Sequence, residues 1–416
     1  MEAGRSSRST ATRKRKSAAL EVERYPAPAQ PAAPPDPGAA EHDGCGDGRD
    51  LHHIRNLSDL PDDMLRKIIS LLPIKERGRT QILARRWRPL WRSLPLNIDC
   101  AELGDGKLGD VLQRIISSHQ GVCHRFSIRP ELSTDMDNDA AVDACLLSST
   151  LDKLKELEFY RRRWHNWQPM PVPALIFRFS PTLCVAEFGH FTLTDDALQG
   201  IHFPQLKKLV LHYVYLSDFS LNSMIAGSPS LEFVLIIRCT GARLGHPRLY
   251  QLLQARGPRI RGLATVACKI KCLVLGMATL NLDMVIELMA TFPCLEKLYI
   301  QCQKSWKNNL WRRKYRGLIT STCFDIHLKT IVLDYYRGTK SDIDFVTFFV
   351  LNARVLERMK LIVKRNDDKF VAIHRHRLQL MNRASHGAHI NFRRKDSDVC
   401  ISNMYNFCIQ ENILNL

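Results

Sequence analysis

Apolar positions between residues 57 and 95 recur at helical steps. Met64, Leu65, Ile68, Ile69, Leu71 and Leu72 form one stripe, the pattern of an amphipathic helix. Pro61 suits a first turn, Asp62 and Asp63 complement the positive N-terminal end, and Pro73 stops the helix. A second series, Leu83, Trp87, Leu90, Trp91 and Leu94, follows at the same step, with Pro89 bending it or starting a new turn. The expectation is a small helical trio. A unit of about forty residues buries too little surface to stand firmly alone, so it should pack on its C-terminal neighbour or on a partner.

Further along, the period changes. The phrase Leu-x-x-apolar-x-apolar begins at Leu154, Leu206, Leu295 and Leu328, with weaker copies at Cys123, Leu183, Leu231, Ile270 and Leu356. These nine starts lie 23 to 39 residues apart, and several follow Ser-Pro or Phe-Pro, as at Ser228-Pro229 and Phe292-Pro293. Such spacing resembles leucine-rich repeats, in which each unit gives one short parallel strand and a return segment. Helical returns are expected over Asp218 to Ala226, ended by Gly227, and over Asp283 to Ala290, with Val285, Leu288 and Met289 on one face. Ser341 and Asp344 resemble a capping box ahead of Phe345, Phe348 and Phe349. The phrase is least defined near 240–270 and 301–327. The predicted class is α/β: a small N-terminal helical module, then an irregular solenoid of parallel strands with helical returns.

Alternation along a strand sends the third, fifth and seventh places of each phrase to the inner, concave face. That face would carry Arg125, Arg129, Glu156, Glu158, Tyr160, Glu187, Lys208, His212, Phe233, Leu235, Ile237, Lys297, Tyr299, Arg358 and Lys360. The candidate substrate-binding set within it is Glu156, Glu158, Tyr160, Lys208, His212, Phe233, Leu235, Ile237, Lys297 and Tyr299. Phe233, Leu235 and Ile237 have two readings of equal weight: an apolar docking patch, or a strand buried on both faces.

Two family resemblances follow from the punctuation. Leu60-Pro61, Leu72-Pro73, Arg79-Thr80 and Arg85-Arg86-Trp87 with Leu90-Trp91 are similar to the plant F-box motif, especially that of grass F-box proteins with leucine-rich repeats. Leu328-Lys329-Thr330, Gly338, Phe345 to Phe349 and Leu351-Asn352-Ala353 to Met359 resemble the FBD region that often ends such chains. The F-box resemblance implies binding to a Skp-type adaptor, and through it to cullin and RING subunits of a ubiquitin ligase, while the repeats hold an unknown protein substrate. Carried over by position, the adaptor contacts would be Leu57, Leu60, Pro61, Leu65, Ile69, Leu72, Pro73, Ile82, Leu83 and Trp87. Arg77-Gly78 stand where many members carry apolar residues, and Ile74 lacks the side-chain oxygen of a capping Thr. The implied organisation is a tail over 1–50, an F-box over 51–100, repeats over 101–326, an FBD-like region over 327–395 that adds two strand-plus-helix units capping the solenoid edge, and a C-terminal tail over 396–416.

Composition changes this picture little. The chain has 416 residues, 45% of them apolar, and a net charge of +18. Part of the positive excess lies in Arg13, Lys14, Arg15 and Lys16, in a Ser/Thr-rich start that passes into Pro/Ala/Gly-rich sequence. This reads as a disordered tail with a candidate nuclear localisation signal. No run of ~18 apolar residues predicts a membrane span, and no secretory signal opens the chain, so nucleus or cytoplasm is expected. Thirteen scattered cysteines, Cys272 and Cys294 among them, read as reduced core residues.

Arg161 to Trp167 and Trp306 to Arg316 mix cations with aromatic rings, yet no nucleic-acid-binding signature accompanies them. Neither zinc spacing, a phosphate loop nor a nucleophile elbow is present. The sequence specifies no cofactor and no catalytic residue; a small polyanion under the concave face stays open. The leading reading is a ligase substrate receptor. The alternatives are a solenoid binding protein without adaptor affinity and, weaker, a nucleic-acid binder.

Overall fold

The computed structural model describes residues 57–103, 108–129, 138–161, 170–239, 268–277, 292–302, 326–364 and 368–394, with isolated positions between 282 and 289. Within them an eleven-stranded parallel sheet follows a small helical module. The basic cluster Arg13 to Lys16, residues 240–267 and 303–325 of the two least defined stretches, and nearly all of both basic-aromatic clusters lie outside the described residues.

The helical module consists of α1 (Asp62–Leu71), α2 (Ile74–Arg79) and α3 (Trp87–Ser93), with a 3-10 turn at Thr80–Ile82. Pro61 and Pro73 both stand at N-caps, where a missing N–H costs nothing. Pro89 is the third residue of α3, still among the N–H groups that have no helical partner, so it begins the helix rather than bending it. Leu83 lies ahead of this helix and faces solvent, which corrects the expected apolar series. Of the α1 stripe, Leu65 and Ile69 turn inward and join Trp87, Leu90 and Trp91 in a small core, while Met64 and Leu71 face outward.

Two features tie the trio to the chain that follows. Ile74 belongs to the main core of the sheet rather than to the trio's own, and its N–H donates to the Glu102 carboxylate at 2.9 Å. The missing Thr cap is thus replaced by a side chain 28 residues away. At the other end, the Arg92 carbonyl accepts from the Gln120 and Gly121 N–H groups, and the His119 ring packs edge-on against Trp91 at 4.8 Å.

The nine phrases correspond to β2 (Cys123–Ile128), β3 (Glu156–Tyr160), β4 (Val185–Gly189), β6 (Lys208–His212), β8 (Phe233–Ile237), β9 (Cys272–Met277), β10 (Lys297–Cys302), β11 (Thr330–Tyr336) and β12 (Arg358–Val363). Two strands lack the phrase and flank them in the same sheet: β1 (Leu96–Asp99), which places the start of the sheet inside the segment assigned to the F-box, and β13 (His389–Arg394). The short pair β5 (Thr192–Leu193) and β7 (Tyr215–Leu216) forms a separate two-stranded sheet. The leucines of the phrase stack in register, Leu157 on Ala186 on Leu209 on Val234, and Leu273 on Leu298 on Ile331 on Met359. This is one continuous core. The Pro signals mark tight turns before strands: the N–H of Leu206, Leu231 and Leu295 donates three residues back, to the carbonyls of Phe203, Ser228 and Phe292.

Return segments close the core face: α4 (Cys100–Leu103), α5 (Leu108–Ser118), α6 (Asn138–Leu146), α7 (Asp195–Leu198), α8 (Asp218–Ala226), α9 (Lys340–Asn352) and α10 (Asp368–Arg377). Helix α8 has the expected bounds with Gly227 at its C-cap. Leu282, Val285 and Met289 are buried; Leu288 falls outside the described residues. The capping box of α9 is Thr339 with Asp342, not Ser341 with Asp344. The turn at Gly338, which has φ +76°, starts the helix two residues early, and the Asp342 carboxylate accepts from both the Arg337 and Thr339 N–H groups. The FBD-like region contributes β11, β12 and β13 to the sheet, and among the described residues β13 pairs with β12 alone. Cys268 and Cys294 are exposed, against expectation, because both sit in turns before strands.

Candidate functional site

Two surfaces carry the residues singled out in the sequence. The first is the helical trio. Of its ten expected adaptor contacts, Leu65, Ile69 and Trp87 are core residues, Trp87 only 2% exposed, and cannot be touched without unfolding the module. They hold the shape of the surface instead of forming it. Ile82 and Leu83, 82% and 65% exposed, project from the turn between α2 and α3. Leu57, Pro61 and Pro73 are also exposed, and Leu60 and Leu72 are half-buried. The sequence reading missed Met64 and Leu71; the latter is 78% exposed. Their spacing of seven on α1 puts them on one outer face, a signal hidden because they also fit the inward stripe.

Arg77 explains itself here. Its Nε donates to the Leu72 carbonyl at 2.5 Å and its Nη2 to the Ser70 carbonyl at 2.6 Å. Both acceptors are orphan carbonyls at the end of α1. Asp62, at the opposite end of α1, pairs with Arg86 at 2.6 Å.

The second surface is the sheet face opposite the main core. Register places Arg125, Glu156, Val185, Lys208 and Phe233 in one row, Ser127, Glu158, Glu187, Val210 and Leu235 in the next, and Tyr160, Gly189, His212 and Ile237 in a third. The expected residues do share this face, but not as one open groove. Phe233, Leu235, Ile237 and Tyr299 are buried with Val210, Cys272, Val274, Val332 and Ile362 in a second apolar cluster crossing six strands. The docking-patch reading is corrected: strands this apolar stack in register into a second core. Lys208, His212, Lys297, Glu156 and Tyr160 remain partly exposed.

At the β2–β6 end the face is polar and tightly bonded. Glu158, buried, accepts from Arg125 Nη2 at 2.8 Å, Ser127 Oγ at 3.0 Å and Arg129 Nε at 3.0 Å. Glu187, 1% exposed, accepts from Arg129 Nη2 at 3.1 Å and from the Tyr160 hydroxyl. Burial alone would lower the Arg129 guanidinium, but Glu187 and Glu158 outweigh it and hold it above its ordinary value. Burial raises Tyr160, and the Glu187 charge adds to this, so its hydroxyl keeps the proton it donates. Burial also raises Glu187, with Arg129 opposing. Gly189 makes the arrangement possible, because a Cβ there would fall inside the Tyr160 ring.

Just past the strand ends, His190, Tyr213 and Arg238 take left-handed backbone at φ +62°, +53° and +52°. The His190 and Tyr213 N–H groups reach the next rung, donating at 3.0 Å to the His212 and Ile237 carbonyls. Their side chains stack: His190 lies on Tyr213 at 4.8 Å and 15°, and the Arg238 guanidinium stands 5.1 Å from the centroid of the Tyr213 ring while donating to its hydroxyl. Lys208 Nζ sits 5.6 Å from the Phe233 ring centroid. His212 lies among them. Burial pushes its imidazole down to about 4, helped by His190, Arg238 and Arg129, and its Nε2 has no hydrogen-bond partner among the described residues. The sequence reading listed His212 but missed His190, Tyr213 and Arg238, which stand one place beyond each phrase. Among the described residues no group of three or more His, Cys, Asp or Glu is placed to hold a metal ion, and no helix is long and apolar enough to cross a membrane.

Comparison with known proteins matches this layout. Residues 57–99 fit the family model of the F-box domain, 142–254 that described as FBD-associated F-box protein, LRR repeats, and 321–361 that of FBD. An F-box/FBD/LRR-repeat protein of Arabidopsis thaliana is 30% identical over 203 residues, 44% of this chain and 44% of its own. A second F-box/FBD/LRR-repeat protein of that plant is 28% identical over 190 residues, 43% of each. An FBD-associated F-box protein, also from Arabidopsis thaliana, is 24% identical over 190 residues, 44% of this chain and 41% of its own. The matched stretch therefore spans less than half the length of each relative. With residues that fit the F-box, LRR-repeat and FBD family models in this order along a parallel-strand repeat sheet, the chain is similar to the F-box/FBD/LRR-repeat proteins.

Proposed function

We propose that the chain is the substrate-recognition subunit of a cullin-RING ubiquitin ligase, its helical trio docking a Skp-type adaptor and its repeat sheet holding a target protein. The observation that carries this reading is the set of apolar side chains left outside a closed small core, Ile82 and Leu83 foremost. Exposed apolar residues grouped on one module mark a docking face. No bond chemistry is required of the chain. It raises the effective concentration of the target near a ubiquitin-loaded enzyme carried by its partners. Arg13 to Lys16 would direct the assembly to the nucleus.

Titration of a Skp-type adaptor into the purified full chain tests the reading. Stoichiometric binding is expected, and Ile82→Glu with Leu83→Glu should abolish it at unchanged thermal stability. A folded wild-type chain that leaves the adaptor unbound would overturn the proposal and leave a repeat-sheet binding protein.

A further inference from the structure

The turns that lead into the strands repeat one contact. At two successive rungs the third residue of a turn reaches back to the second residue of the turn before it: Ser230 Oγ donates to the Pro204 carbonyl at 2.9 Å, and Lys269 Nζ to the Pro229 carbonyl at 2.8 Å. Strand entries match from rung to rung. The N–H groups of Glu232 and Phe233 both donate to the Lys207 carbonyl, those of Lys271 and Cys272 to that of Glu232, and those of Glu296 and Lys297 to that of Lys271. The next turn, Phe292-Pro293-Cys294-Leu295, closes as the earlier ones do, with the Leu295 N–H on the Phe292 carbonyl.

Register sets Cys272 of β9 beside Lys297 of β10. Cys294 therefore holds the third place of its turn and Cys268 the second place of the turn before, the two places that this contact joins. With rungs ~4.8 Å apart and consecutive Cα atoms about 3.8 Å apart, the two Cα atoms stand about 6 Å from one another, within the ~4.4–6.8 Å that a disulfide bridges. Both cysteines are exposed, whereas Cys100, Cys123, Cys145 and Cys272 are buried. Burial pushes the Cys123 thiol up to about 12 and the Cys145 thiol up to about 11, so those sulfurs keep their protons and stay unreactive.

We propose that Cys268 and Cys294 form an oxidisable dithiol, a modification site that hydrogen peroxide converts to a disulfide between two adjacent repeats. The sulfur of one thiol attacks the peroxide, the O–O bond breaks, and a sulfenic acid and one water result. The sulfur of the other thiol then displaces the sulfenic oxygen, which leaves with the thiol proton as a second water. The peroxide has taken two electrons and the two sulfurs share a new bond. That bond clasps β9 to β10 at their entry, and a thiol reductant reopens it. The site stands apart from the ligase reading.

The test treats the reduced full chain with equimolar hydrogen peroxide, blocks the remaining thiols with N-ethylmaleimide, and digests with trypsin and Glu-C, whose cut at Glu287 separates Cys294 from Cys272. Mass spectrometry should find the Cys268 and Cys294 peptides linked as the main oxidised product, and the link should vanish with dithiothreitol. Cys294→Ser installs the residue that Ser230 supplies at the same place two rungs earlier, so the turn is retained. Dimedone should then trap a Cys268 sulfenic acid at about ten times the wild-type yield, because the thiol that resolves it is gone. Linkage of either cysteine chiefly to another one, Cys45, Cys323, Cys400 and Cys408 included, would overturn the proposal. So would equal dimedone yields in wild type and variant, or peroxide leaving both thiols free.

Discussion

His212 gives a stability prediction whose size follows from its surroundings. Unfolding releases the ring from Arg129, His190 and Arg238 into water, where an imidazole titrates near 6.5, against about 4 in the fold. The folded value is depressed, so between those two pH values the unfolded chain takes up a proton that the folded chain refuses. Stability attributable to His212 is intact above about pH 6.5 and is lost as pH falls toward 4. Linkage puts the loss at about 2 kcal/mol by pH 5 and about 3 kcal/mol by pH 4. Glu187, raised by burial, acts with the opposite sign, gaining relative stability as it protonates. A wild-type curve alone therefore mixes the two.

Comparison with His212→Phe isolates the ring. The variant removes the titration, retains an aromatic ring against Tyr160 and Tyr213 and leaves Glu187 in both proteins. Urea unfolding at pH 7 and pH 5, followed at Trp fluorescence, should show the wild type losing about 2 kcal/mol more than the variant over that interval. The 13C-histidine spectrum should place the missing resonance near pH 4. Parallel pH dependence in the two proteins, or His212 titrating near 6.5, would refute the argument.

Trp87→Ala should cost about 3–5 kcal/mol and melt the helical trio, seen as loss of hydrogen-exchange protection in α1 and α3 while β3–β8 stay protected. Gly338→Ala forces an L side chain to φ +76° with its Cβ against the buried His374 ring; a loss of about 2 kcal/mol or more should appear as a lowered thermal midpoint and raised exchange in α9 and α10. Glu102→Ala removes the cap from α2, and a loss of about 1 kcal/mol is expected in urea unfolding, with Glu102→Gln restoring part of it.

All nine repeat strands were legible because the phrase encodes two things at once: leucines that must stack inward, and alternation that sends intervening residues to the other face. Glu158, Glu187 and His212 could be placed on that face from spacing alone. What spacing does not encode is what the face does next. Phe233, Leu235 and Tyr299 alternate outward as expected, and only the register of six strands shows that they meet Cys272, Val274 and Val332 to form a second core. His190, Tyr213 and Arg238 escaped because a left-handed residue is usually signalled by Gly or Asn, and here a His, a Tyr and an Arg take it. The strands β1 and β13 escaped because neither repeats the full phrase: Leu96 pairs with Cys123 at the leading place but the register shifts straight after it, and Gly387 stands where β13 would have its leucine.

The departures from the F-box pattern carry the strongest lesson about reading local sequence. Arg77 and Ile74 stand where the motif favours an apolar residue and a capping Thr, which by local rules weakens α1 and α2. In the fold, Arg77 closes the carbonyl end of α1 through Ser70 and Leu72, and Ile74 leaves the trio's own core to join that of the sheet. Its N–H is met by Glu102, whose charge also acts on Arg77. One carboxylate thus serves both departures, and it comes from α4, on the sheet side of the junction. The changes exchange self-sufficiency of the small module for attachment to its neighbour. Ile74 and Glu102 together thus join the helical module to the first elements of the sheet, so a change at either should loosen both sides of the junction.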